Sequence, residues 1–306
     1  YIWGGTRLRD EYGKKCDYDK VAESWELSCH KDGPSVVADG EYKGLTLNEY
    51  IEKAGKGVLG KNCERFENFP ILIKLIDAKD NLSVQVHPDN DYAMRVEGEY
   101  GKTEMWYVVD CDEGATLLYG FKHEITKEEF ARRIADNTLL EVTNAVPVKK
   151  GDVFFIKSGT LHAIGKGILI AEIQQNSNTT YRIYDYGRVG KDGKPRELHV
   201  DKALDVTKLA PAEQYPETPV EKKDGYDIKL LSKCEYFTTY RVNVETKAEL
   251  DADENSFNSI LVLEGEPVIS GGETVSAKKG ESVFISAGTG KYTVEGKCTF
   301  VLTKID

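Results

Sequence analysis

The sequence predicts a mostly β protein made of two related β units, with small helical insertions in the first. Three observations lead there: short Val-, Ile- and Phe-rich runs between Gly, Asp and Asn turns, an internal repeat, and a period-two alternation ahead of Pro88. In chain order the runs expected as strands are Phe69 to Ile76, Asn81 to His87, Met105 to Val109, Val153 to Ile156, Ile168 to Ile173, Ile260 to Leu263, Val283 to Ile285 and Thr299 to Leu302. Helical patterns are fewer, chiefly Leu47 to Ala54 and Thr126 to Ala135. In the second, Thr126 and Glu129 have capping-box spacing, and Phe130 and Ile134 lie four apart on one face.

The repeat appears when Gly151-Asp-Val-Phe-Phe-Ile-Lys-Ser-Gly-Thr160 is laid over Gly280-Glu-Ser-Val-Phe-Ile-Ser-Ala-Gly-Thr289. Upstream, the stretch from Trp106 to Gly114 pairs with that from Ile260 to Gly265. This overlay sets Asn258 against Glu104 and Lys291 against His162. The first copy is longer by an insertion that the helix around Thr126 to Ala135 accounts for. Pro211, Pro216 and Pro219, with the charged run Glu221-Lys-Lys-Asp224, mark a linker. The expected organisation is a unit at 1–210, with helical insertions at about 43–68 and 123–147, and a smaller unit at 220–306.

Composition narrows the function classes. With 306 residues, 40% hydrophobic and 30% charged, the chain has the make-up of a globular protein with a proper core, not of a fibre, a peptide hormone or a disordered tail. A net charge of −11 disfavours nucleic acid and anionic membrane as partners, so an anionic ligand needs its own basic pocket. The six cysteines form no C-x-x-C pair, which points to a reducing cytoplasm rather than a disulfide framework. No apolar run is long enough to span a membrane. The chain opens at Tyr1 inside an apparently extended segment, so a short upstream stretch is expected.

Chemistry concentrates in the first unit. Ser83, Gln85 and His87 alternate with Leu82, Val84 and Val86, which puts three polar groups on one face of a strand. Turned inward, such groups cost on the order of 2 kcal/mol or more each unless something binds them, and a metal ion would compensate. Glu104 lies just ahead of the next strand, two residues after Lys102, and His162 follows the Gly159 turn. Two imidazoles, a carboxylate and an amide oxygen form an N/O set suited to Zn²⁺; Mn²⁺, Fe²⁺ or Co²⁺ would fit the same set. In the second unit Asn258 and Lys291 replace Glu104 and His162, so one metal site is expected.

The segment Gly151 to His162 resembles the second motif of the cupin superfamily, whose fold is a jelly roll, with Lys157 and Lys166 departing from the common pattern. Further segments resemble the type I mannose-6-phosphate isomerases in their short bacterial form. They are Trp3-Gly-Gly-Thr-Arg7, Glu23-Ser-Trp-Glu26, Ser83-Val-Gln-Val-His-Pro-Asp89, Gly101-Lys-Thr-Glu-Met-Trp-Tyr107, Gly159-Thr-Leu-His-Ala163 and Glu172-Ile-Gln-Gln-Asn-Ser-Asn-Thr-Thr-Tyr-Arg182. Residues 220–306 resemble the family's smaller cupin only loosely. The resemblance implies two cupin units and zinc ligands at Gln85, His87, Glu104 and His162. It also implies a catalytic Arg182, an acidic Glu172 beside the active site, and Lys102 and Ser83 in the pocket.

The implied reaction interconverts mannose 6-phosphate and fructose 6-phosphate through a cis-enediol. It needs a cation to steady developing negative charge and a general base. Glu172 is the first candidate base, since alternation sets it with Ile168 and Ile170; a histidine or lysine is the alternative. Arg182 would bind the phosphate or the enediol, with Lys102 as a second positive charge and Arg188 as a third. Other readings are a catalytically silent sugar-binding cupin, a different metal-dependent sugar isomerase, or a cupin dioxygenase. Monomer and homodimer remain equally open.

Overall fold

A computed structural model of the chain describes residues 1–190 and 193–306. The helices are α1 (Arg7–Asp10), α2 (Leu47–Ala54), α3 (Asn90–Val96), α4 (Lys127–Ala135) and α5 (Val200–Val206). The strands up to the middle of the chain are β1 (Glu23–Leu27), β2 (Ile71–Ala78), β3 (Val84–Val86), β4 (Glu104–Cys111), β5 (Thr116–Phe121), β6 (Thr143–Pro147), β7 (Val153–Ile156), β8 (His162–Ala163), β9 (Ile168–Gln175) and β10 (Tyr181–Tyr184). After them come β11 (Val220–Lys223), β12 (Tyr226–Lys233), β13 (Thr238–Val244), β14 (Lys247–Ala252), β15 (Asn258–Gly265), β16 (Val268–Gly271), β17 (Glu273–Ser276), β18 (Ser282–Ile285), β19 (Gly290–Glu295) and β20 (Cys298–Lys304).

The chain forms two compact units. The first is Tyr1–Arg7, Asp17–Glu23 and Ile76–Tyr215; the second is Leu8–Cys16, Ser24–Leu75 and Pro216–Asp306. This division differs from the expected one, because residues 24–75, helical insertion included, group with the carboxy-terminal residues. Backbone hydrogen bonds explain it: Lys61 N–H donates to Glu254 O, Asn62 N–H to Asn255 O and Phe257 N–H to Leu59 O, at 2.9–3.1 Å. Phe69 also stacks on Phe257 with ring centres 5.5 Å apart. Part of the expected linker is ordered, since Glu221, Lys222 and Lys223 pair with β12 as strand β11.

In the first unit, β4 lies between β7 and β9 in one antiparallel sheet, and the other sheet runs β10-β3-β8-β5-β6. Val84 and Val86 on β3 are fully buried with Phe130 of α4 and Ala203 of α5, so the helices cover one face of that sheet. Its opposite face, and that of β4 and β9, line the interior. There Trp106, Leu117, Ile156 and Ile170 build an apolar core.

Several elements depart from expectation. The strand expected over Asn81 to His87 shortens to Val84–Val86, and Leu82 packs in the interior core instead of under the helices. Thr126 caps α4 by accepting from Glu129 N–H, but the Glu129 carboxylate turns to Arg133 Nε at 3.0 Å, so the box is only half made. The complete box is at Thr46 and Glu49, at the head of α2.

In the second unit, a sheet β11-β12-β13-β20-β15-β18 and a sheet β14-β19-β16-β17 enclose Val262, Tyr292, Val294 and Phe300. The internal repeat holds at the level of register. Glu104 pairs with Ile156 as Asn258 pairs with Ile285. The bulge between Val108 and Asp110 recurs between Val262 and Glu264. Gly151 N–H donates to Val108 O at 2.8 Å, as Gly280 N–H does to Val262 O at 2.7 Å. The fold is mostly β, as expected.

Candidate metal centre

The centre is assembled from both inner faces of the first unit. On one sheet, Gln85 is the direct cross-strand partner of Arg182 on β10 and of His162 on β8, which places three side chains in one row. On the other, Glu104 opens β4, and Trp106, two residues on, pairs with Glu172 on β9. His87, Glu104 and His162 are each at most 1% exposed, and their ligand atoms lie within 4.8 Å of one another. Among the described residues, no other group of three His, Cys, Asp or Glu side chains is placed in this way.

Hydrogen bonding fixes the tautomers. His87 Nδ1 lies 3.0 Å from Thr179 O, and His162 Nδ1 lies 2.8 Å from Thr160 O. A carbonyl only accepts, so each Nδ1 carries the proton and each Nε2 presents a lone pair. Burial reinforces neutrality, pushing the His162 pKa down to about 4 against the opposing pull of the Thr160 carbonyl. The two Nε2 atoms nevertheless face each other at 3.1 Å, and Glu104 oxygens lie 3.4 Å from His162 Nε2 and 3.6 Å from His87 Nε2. Two lone pairs and a carboxylate converging in a dry interior repel one another unless a cation stands between them. The donor set therefore fits a metal ion. Gln85 points its amide at His162 from 3.3 Å, and turning that amide over would present its oxygen instead.

The supports of the two imidazoles are specific. Thr179 belongs to a loop pinned by Glu99, whose Oε2 accepts from Ser177 Oγ, Asn178 N–H and Thr179 Oγ1 at 2.9–3.1 Å. Thr160 follows Gly159, whose φ of +85° suits glycine and whose N–H donates to His87 O at 2.8 Å. Nothing in the sequence spacing marked Glu99, because its partners come from a loop nearly eighty residues away.

The remaining expected residues lie as follows. Lys102 is buried just outside β4, with Nζ 3.3 Å from Glu104 Oε2. Ser83 is buried one residue ahead of β3. Glu172 is buried and accepts a 2.8 Å hydrogen bond from Trp106 Nε1, and the Trp106 ring meets His162 edge-on at 5.3 Å. Arg182 donates from Nη1 to Glu197 O at 3.0 Å, while its buried Nε has no hydrogen-bond partner. Burial and then Arg196 lower the Arg182 pKa.

Sequence reading missed Arg196, Asp185 and His199. Arg196 grips Asp185 with two hydrogen bonds, at 2.8 and 2.6 Å, and Arg188 donates to the same carboxylate. Burial would raise the Asp185 carboxyl, but hydrogen bonds from Arg196 and Arg188 outweigh it and hold it below the usual range. His199 Nδ1 accepts from Arg182 N–H at 3.2 Å. The signal available was the cluster Arg182, Arg188, Arg196 in an otherwise acidic chain.

In the second unit, Asn258 donates 2.9 Å hydrogen bonds to Tyr292 Oη and to Asp251 O. Lys291, set against His162 by the sequence overlay, is exposed, and the buried neighbour is Tyr292. A phenol and an amide thus occupy the interior there.

Comparison with known proteins agrees with this geometry. The description "Phosphomannose isomerase type I, catalytic domain" matches residues 1–114, and "Mannose-6-phosphate isomerase, cupin domain" matches residues 227–305. The chain is 39% identical over 306 residues to mannose-6-phosphate isomerase ManA of Bacillus subtilis, covering 99% of this chain and 95% of the relative. It is 40% identical over 291 residues to mannose-6-phosphate isomerase of Streptococcus mutans serotype c, covering 93% and 88%. A crystal structure of mannose 6-phosphate isomerase from Bacillus subtilis superposes with a TM-score of 0.93 at 38% identity, covering 99% of this chain and 96% of that one.

Proposed function

The chain belongs to the type I mannose-6-phosphate isomerases, and from that premise we propose that it interconverts mannose 6-phosphate and fructose 6-phosphate at the His87–Glu104–His162 centre. The observation that carries this reading is the pair of imidazole Nε2 atoms, 3.1 Å apart, aimed with Glu104 at one buried point. Gln85, His87, Glu104 and His162 would hold Zn²⁺, a redox-silent ion matched to N and O ligands. When bound, it supplies Lewis-acid polarisation of the sugar's carbonyl and hydroxyl oxygens.

The chain's own groups do the rest. Glu172 is the proposed base that moves the proton between neighbouring sugar carbons. The Trp106 hydrogen bond fixes one of its oxygens and so orients the carboxylate. Arg182 binds the enediol or the phosphate, its planar fork held by Glu197 O and its buried Nε still able to donate. Lys102 adds positive charge beside Glu104, and Ser83 contributes a hydroxyl to the pocket. Among the described residues the second unit has no equivalent set, since an amide and a phenol, Asn258 and Tyr292, meet in its interior.

Purified protein, stripped with chelator and reloaded with Zn²⁺, should convert mannose 6-phosphate to fructose 6-phosphate. Glu104→Ala should lose metal and activity together. Arg182→Ala should keep the metal and lose roughly 100-fold or more in kcat if it acts on the enediol, or mainly raise KM if it binds phosphate. Glu172→Gln preserves the acceptor for Trp106, so retained kcat in that variant would move the base to another residue. Activity in the stripped enzyme would overturn the metal-dependent reading.

A further inference from the structure

Strand β9 ends in an irregular way. In an antiparallel ladder a hydrogen-bonded pair of residues exchanges two main-chain bonds. Gln175 N–H donates to Thr103 O at 3.1 Å, but the return bond does not run to Gln175 O. Thr103 N–H donates instead to Oε1 of the Gln175 side chain, at 2.8 Å. Gln175 O, released from the ladder, accepts from Ser177 N–H at 2.8 Å and from Gln174 Nε2 at 2.7 Å. The side-chain amide thus stands in for the main-chain carbonyl, and the chain turns away from the sheet without stranding a buried donor.

The other end of this amide is fixed as well. Gln175 Nε2 donates to Asn90 Oδ1 at 2.9 Å, and Gly101 N–H donates to the same oxygen at 2.9 Å. A main-chain N–H only donates, so Thr103 and Gly101 set the orientation of both amides. Between them, Lys102 N–H donates to Pro88 O at 2.9 Å. The N–H groups of residues 101–103 are therefore all held from outside that segment, by the turn after His87 and by the Gln175 side chain. Gly101 lies so close to this turn that a Cβ would overlap the Asp89 main chain. Gln175 is buried, so a donor deprived of it finds no water in its place. What the segment carries is Lys102, with Nζ 3.3 Å from Glu104 Oε2. We propose that Gln175 is a positioning residue for the isomerisation: its amide, acting through Thr103 and Asn90, sets where the Lys102 ammonium stands beside Glu104. This role rests on Lys102 belonging to the working site, as proposed above, and puts control of that lysine on a residue outside the metal-ligand set.

The test is a double-mutant cycle between Gln175→Met and Lys102→Met in zinc-loaded full-length protein, together with a crystal of Gln175→Met. Methionine is close to glutamine in shape but makes neither bond. Gln175→Met should keep its zinc and lower kcat/KM for mannose 6-phosphate at least about tenfold, since small misplacements carry costs of that order. In the Lys102→Met background the same substitution should change kcat/KM less than about twofold. A general loss of packing would lower activity in both backgrounds alike. The crystal should show Lys102 Nζ moved beyond about 4 Å from the Glu104 carboxylate. Equal losses in the two backgrounds, zinc lost with Gln175→Met, unchanged activity in either single variant, or Lys102 Nζ still in place would each overturn the assignment. If Lys102→Met has no measurable turnover, the zinc content, activity and crystal of Gln175→Met decide. Asn90→Ala cuts the clamp at its other end and decides by the same criteria if Gln175→Met misfolds by circular dichroism. An inactive zinc-loaded wild type would overturn the proposed function and this role together, whereas an active wild type that fails the cycle overturns this role alone.

Discussion

Two imidazoles can serve as ligands only if their far nitrogens are committed elsewhere, and here Thr179 O and Thr160 O make that commitment. Outer partners of this kind orient the ring and set its tautomer. Glu99 holds the Thr179 loop by three hydrogen bonds. Glu99→Ala should therefore lower metal affinity about 10–100-fold, measured by competition with a chromophoric chelator, while activity at saturating metal is largely retained. A second residue-level expectation concerns His199, which must be unprotonated at Nδ1 to accept from Arg182 N–H. Its pKa lies below 6.5, mainly through burial, with Glu197 opposing and Arg182 and Lys202 assisting. Between that lowered value and 6.5 the unfolded chain binds the proton more readily, so the stability from this group is full above 6.5 and is lost as pH falls through the folded value. An NMR titration of the His199 ring should show a midpoint below 6.5; a midpoint above it would contradict the geometry.

At the scale of elements, the row Arg182–Gln85–His162 exists because β10, β3 and β8 are hydrogen-bonded neighbours in register. Period-two alternation revealed Gln85 and His87, since Val84 and Val86 must go under the helices for those two to turn inward. It misjudged Leu82, because β3 is only three residues long and Leu82 lies outside it, where the strand's alternation no longer applies. The half-made cap at Thr126 has a similar origin: Arg133, one turn along, competes for Glu129. The turn before β8 depends on Gly159, where an added Cβ would come within 2.9 Å of Val206 O. Gly159→Ala should cost roughly 1–2 kcal/mol in denaturant unfolding and loosen the metal, because Thr160 O would no longer be placed to receive His162 Nδ1–H. Unchanged stability and unchanged metal affinity would mean the turn has slack that the backbone does not show.

For the whole molecule, repeat detection recovered two β units, and the shared bulge at Val108 and Val262 shows how deep the correspondence runs. It could not show that residues 24–75 group with the carboxy-terminal unit, since that follows from backbone pairing of Lys61, Asn62 and Leu59 with residues far along the chain. Nor could it show that Tyr292 rather than Lys291 turns inward. Net charge of −11 coexists with Arg182, Arg188 and Arg196 gathered near Asp185, so the global balance said little about the local field. The same duplicated framework thus supports a candidate metal centre in one copy and an Asn258–Tyr292 pair in the other. A crystal of metal-replete protein, measured at the zinc absorption edge, tests this most directly. The account predicts a single anomalous peak per chain at about 2.0–2.2 Å from His87 Nε2, His162 Nε2 and a Glu104 oxygen. A cavity without that peak, or a second peak beside Asn258, would contradict it.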